Sequence, residues 1–242
     1  KLDLTENECT VLGGNSPTKA SHLIWVQGYL LTNGLDSSET ANSGQIHFSA
    51  DDSASDYYSL DDSWEVFNNE ASPDSCEAVL TDWEEIFSIG THSVEARYND
   101  GATPWGRLEG TYSGWGTLSG NTPKIINGVL YFLTSRDSSV KVAKIDQRTP
   151  SLISWPYDDK IRGFSTHSDA VGWGVVMKGK PFYVITWPTE NVTLAYNIEQ
   201  DNWSQWSHWT GSAHQSWIGN CYCFSRSQVK HFVGDRRANG RI

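Results

Sequence analysis

Short apolar runs separated by polar turns recur along the chain, and none of them keeps a helical period. Between Lys180 and Trp209, residues 182–185 form a nearly continuous apolar run. Such a run suits a strand covered on both faces. Pro188 stops it, because proline has no N–H to give to a ladder. Leu194, Tyr196 and Ile198 then alternate with Ala195 and Asn197, the period of a second strand facing a sheet core. Residues 200–202 supply turn chemistry, and Trp203, Trp206 and Trp209 follow on a third strand.

The same strand–turn–strand unit recurs elsewhere. Residues 23–26 and 29–31 flank Gln27-Gly28, residues 124–126 and 129–133 flank Asn127-Gly128, and residues 170–176 and 182–185 flank Lys178-Gly179. Each is the pattern of a tight hairpin. Further strands are expected at 45–49, 64–67, 76–80, 85–89, 140–145 and 151–155. At 91–98, Val94, Ala96 and Tyr98 would share one face, and strands are also expected at 105–110 and 112–115. A last hairpin spans 219–224 and 230–233, with a final turn at Asn239-Gly240. The leading strands begin near Ile86, Val129, Phe182 and His231, spaced by 43, 53 and 49 residues, and Tyr29 precedes Ile86 by 57. Four-stranded propeller blades repeat at about 40–50 residues. The expected fold is therefore all-β and β-propeller-like, with units of about 43–53 residues in a single domain over 1–242 and negligible helix. A two-sheet sandwich explains the short strands but not the long period. After Asn239-Gly240 only two residues remain. Either the native chain continues, or residues 1–4 supply the missing strand.

Composition narrows the chemistry. Twenty-nine acidic against 18 basic residues give a net charge of −11, which argues against a surface that grips phosphates. Cys9, Cys76, Cys221 and Cys223 are too sparse for a disulfide scaffold and are expected as buried thiols. Cys221 and Cys223 lie two apart, on one strand face, and are not expected to bridge each other. No apolar run reaches the ~18 residues of a membrane helix. The segment 51–62, DDSASDYYSLDD, offers oxygens that calcium could use, but it lacks the glycine and terminal Glu of a calcium loop. It is expected as a solvated loop. Seven histidines form no metal-ligand motif, and no nucleophile elbow or phosphate loop occurs. Adjacent acidic pairs such as Asp158/Asp159 would point to opposite faces of a strand. No catalytic, cofactor or metal residue is therefore assigned. The 12 Trp serve either a blade-to-blade core or a surface. Trp105, Trp115, Trp203, Trp206 and Trp209 are the candidates for a partner interface, where Trp carries much of the binding energy. Exposed Trp could equally stack on sugars, so a glycan-binding or glycoside-active propeller is the alternative.

Several segments resemble those of a phage family. They are IWVQGYLL at 24–31, QIHFS at 45–49, EASPD at 70–74 and DWEEIFSIGTHSVEARY at 82–98. GRLEG at 106–110, PFYVITWP at 181–188, NCYCF at 220–224, VGD at 233–235 and Asn239-Gly240 follow in order. Together they resemble the packaged DNA stabilisation proteins, tail-hub proteins of short-tailed phages. The resemblance implies a propeller-like body in a homo-hexameric ring below the portal and its adaptor, closing the tail and retaining packaged DNA. It implies attachment of a tail needle and of tail fibres or spikes. DNA would be passing cargo, and no membrane, cofactor or catalysis is involved. The protein would belong to the virion tail, assembled in the host cytoplasm.

Overall fold

The computed structural model describes residues 20–33, 44–49, 74–102, 105–108, 114–136 and 138–236 in full. It describes residues 2–3, 8–9, 34–35, 42–43, 64–68 and 112–113 as backbone alone. The segment 51–62 and the turn Asn239-Gly240 lie outside the described residues. The chain forms two compact units, Lys1–Ser113 and Gly114–Ile242.

In the first unit, β1 (Leu2–Asp3) pairs with β2 (Glu8–Cys9). Then β3 (Leu23–Val26), β4 (Tyr29–Leu35), β5 (Asn42–Ser49) and β6 (Trp64–Asn68) form a four-stranded antiparallel meander. A second sheet contains β7 (Cys76–Asp82), β8 (Glu85–Gly90) and β9 (Ser93–Tyr98). Two short strands, β10 (Gly106–Arg107) and β11 (Tyr112–Ser113), both pair with β9. The sheets meet through Leu31, Ile46, Phe48, Val79, Ile86 and Trp105, all buried in one cluster.

The second unit repeats the plan. Its first sheet is β12 (Lys124–Ile126), β13 (Val129–Arg136), β14 (Ser139–Asp146) and β15 (Thr149–Leu152). The next is β16 (Val171–Met177), β17 (Lys180–Trp187), β18 (Val192–Asn197), β19 (Asn202–Trp209) and β20 (His214–Ser216). The last is the hairpin β21 (Gly219–Ser225) with β22 (Lys230–Asp235). Strand β17 is covered on both faces, as its apolar run requires. Tyr183, Ile185 and Trp187 enter the core shared with β13 and β14, while Val184 and Phe182 face the opposite cluster with Trp173 and Trp206. In register, Tyr183 pairs with Tyr196 and Ile185 with Leu194. Leu194 and Tyr196 are buried in the first of these cores, and Ile198, just past the strand end, packs against it.

Three departures from the sequence reading have physical causes. Residues 155–162 are helical, as the 3₁₀ turn Trp155–Tyr157 and α1 (Asp158–Arg162). The expected strand at 151–155 thus stops at Leu152. Asp158 and Asp159 sit in the first turn and Arg162 in the last, complementing the helix dipole, and Ile161 is buried in the core. On β9, Ser93, Glu95 and Arg97 are buried as thoroughly as Val94 and Ala96, while Tyr98 is exposed. The Arg97 guanidinium donates to the Trp105 carbonyl (3.0 Å) and to Glu95 Oε2 (3.3 Å), so both terminal nitrogens of the buried guanidinium find acceptors inside the sheet stack. Cys76 is buried and free as expected, and burial among carboxylates pushes its thiol up. Cys221 and Cys223 are free but exposed, because their face of β21 has no covering layer among the described residues.

Candidate interaction surfaces

The five Trp chosen from sequence occupy different settings. Trp105 is only 3% exposed and packs edge-on to Tyr29 at 5.2 Å. It builds the core of its own unit and presents no surface there. Trp115 is half-buried under Arg136, whose guanidinium carbon lies 4.2 Å from the ring centroid, a cation–π arrangement. Trp203, Trp206 and Trp209 share β19 but not a face. Trp203 packs on Tyr196 and donates Nε1–H to the Ile153 carbonyl at 2.7 Å. Trp206 lies on the opposite face, against Phe182 and Trp217. Trp209 is exposed beside His214.

The other face of that sheet bears a pocket of about 300 Å³. Its lining includes Trp173, Val175, Met177, Trp206, Trp217 and Val233. Lys178 and His231 are its ionisable lining groups. The Tyr222 hydroxyl lies 2.7 Å from His231 Nδ1 and the two rings stack, which fixes the imidazole at the pocket wall and leaves Nε2 as the other ring nitrogen. A sugar site needs carboxylates and amides beside its aromatic platform to hold hydroxyls. None lines this pocket.

The structure also exposes aromatic groups that the sequence reading passed over. Trp83 is 93% exposed, Trp155 79% and Trp25 53%. Trp83 sits in the two-residue turn between Asp82 and Glu85 with φ +54, a backbone region that bulky side chains rarely adopt. The signal was present: a Trp inside a tight turn between two apolar strands has no core to enter. Near α1, Glu190 accepts from the Ser165 backbone N–H (2.7 Å) and hydroxyl (2.5 Å), and these bonds hold its carboxyl below its ordinary value. His167 nearby is pushed down by burial, against the pull of Glu190 and Asp169. Among the described residues no group of three or more His, Cys, Asp or Glu is arranged to hold a metal, and no helix is long and apolar enough to cross a membrane.

Antiparallel sheets that each pack face to face on the next within a unit are built as the blades of a β-propeller are. The family whose model matches residues 18–242 carries the description bacteriophage P22 Gp10, β-propeller. This chain belongs to that family, and is thus a bacteriophage structural protein and a virion component. No curated protein sequence matches it. Among solved structures it is similar in fold to an auxiliary nutrient binding protein from Bacteroides thetaiotaomicron, at 10% identity and TM-score 0.53, covering 91% of this chain and 57% of that one. It is also similar to the extracellular domain of a hybrid two-component system from the same organism, at 10% identity and TM-score 0.53, covering 93% of this chain and 26% of that one. The chain thus spans well under two thirds of either structure, and at such identity the likeness is one of fold.

Proposed function

We propose that the chain is a subunit of the tail hub, or nozzle, of a tailed phage. In this reading six copies form a ring below the portal and its adaptor, close the tail and retain packaged DNA. The ring offers attachment to a tail needle and to tail fibres or spikes. The family match over residues 18–242 carries the proposal. Two features support it. The net charge of −11 suits a wall past which DNA must slide, because acidic groups repel phosphates. The exposed Trp25, Trp83, Trp155 and Trp209 suit a protein whose work is contact, since buried Trp anchors dominate interface energies. The role asks for no catalysis and no cofactor. Native mass spectrometry of the purified protein tests it: a closed assembly of six copies is expected. A protein that stays monomeric at every concentration, yet binds carbohydrate, would replace this reading with the glycan-binding one.

A further inference from the structure

We propose that the Trp83 hairpin tip of one copy plugs into the apolar pocket at Trp173, Trp206 and Trp217 of a neighbouring copy. This deepens the assembly reading above and rests on it. The tip is a projecting anchor. Trp83 is 93% exposed at φ +54, in a turn that Gly or Asn would form with less strain. Strain held at an exposed aromatic points to a use outside the fold. Asp82, Glu84 and Glu85 flank it, so the anchor carries a negative collar.

The pocket is the complementary socket. At about 300 Å³ it lies at the small end of ligand cavities, the size for one large side chain rather than an extended ligand. Its lining is aromatic and aliphatic, with the Lys178 ammonium as its charged group and no carboxylate. On a chain of net charge −11, such a socket stands out as the place where an acidic, aromatic tip is attracted rather than repelled. An indole entering it would stack against Trp206 and Trp217, while Glu84 reaches Lys178. Plug and socket are different surfaces, so the contact is heterologous and propagates head to tail, closing into a ring where the rotation allows. One Trp buries 150–250 Å² at most, so the contact anchors a larger interface and is not the whole of it.

Sedimentation velocity on the full chain tests this. Trp83→Gly removes the plug and leaves a residue better suited to the turn, and Met177→Glu places a carboxylate at the socket. Each should lower the association constant by at least about thirtyfold, the loss of one hot-spot residue. Mixed together, the two variants should form heterodimers and nothing larger, because one keeps an intact socket and the other an intact plug. Glu84→Lys and Lys178→Glu should each weaken assembly, and the double variant should restore it. If the wild type assembles but Trp83→Gly assembles equally well, or the charge swap fails to rescue, the plug contact is wrong while the ring reading stands. If the wild type never assembles, both fall.

Discussion

Trp83 and Tyr196 show the two uses to which this chain puts a large aromatic. Trp83 costs the monomer free energy. A left-handed φ penalises a β-carbon by about 1–2 kcal/mol, and glycine returns about 0.5–1 of that as lost chain entropy. Trp83→Gly should therefore raise monomer stability by about 0.5–1 kcal/mol in a urea melt; a loss would mean that the indole packs on its own chain. Tyr196 does the reverse. It is 2% exposed, tilts against Tyr131 and Trp203, and donates its hydroxyl to Asp201 at 2.5 Å. Tyr196→Ala should cost about 3 kcal/mol. A change within about 0.5 kcal/mol would show that the residue is not in the core.

Among the elements, β17 and its neighbours carry the sharpest constraints. Gly172 on β16 lies where any β-carbon would collide with the Thr122 carbonyl and the Tyr183 hydroxyl, which are themselves hydrogen-bonded at 2.9 Å. Because one obstacle is backbone, Gly172→Ala should destabilise by about 1–3 kcal/mol, read from the denaturant midpoint. Burial pushes the Tyr131 phenol up to about 12, and raises Tyr183 and Tyr196 further. The folded state therefore holds protons that the unfolded chain releases above its ordinary phenol value of 10.0. Stability is intact below that value and falls as pH rises past it, by up to about 1.4 kcal/mol per pH unit for each tyrosine. Urea melts at about pH 8 and about pH 11 would show the drop, and Tyr131→Phe would soften it. The hairpins here were legible because Gln27-Gly28, Asn127-Gly128 and Lys178-Gly179 all hold positive φ at both positions, which their glycines advertise. The turn at Gln147 and Arg148, with φ +46 and +64, has no glycine and escaped notice. So did α1, since a helix of five residues is too short to show a period. Of the candidate surfaces, the alternation at Leu194 and Tyr196 was readable. The role of Trp105 was not, because a Trp on a short segment looks the same whether its partner is its own sheet or another protein. The pocket was invisible because β16, β19 and β22 converge on it only in three dimensions.

For the whole molecule, the charge balance sets the expectation. Twenty-nine acidic against 18 basic residues leave few groups to displace counterions from phosphates. The isolated protein should bind a labelled duplex negligibly at about 0.15 M salt, where repulsion is screened within about 8 Å. Micromolar binding that weakens steeply with salt in fluorescence anisotropy would reveal a basic face and defeat the conduit reading. Finally, the described sheets are meanders of strands consecutive in sequence, save that β11 returns past β10 to pair with β9. Most pairings therefore close a short loop, which keeps contact order low for an all-β protein. A chain emerging from the ribosome can finish one sheet before the next has been translated. The half-made protein then exposes one open sheet face at a time, and synthesis itself becomes a guard against aggregation in a cell crowded with copies of the same chain.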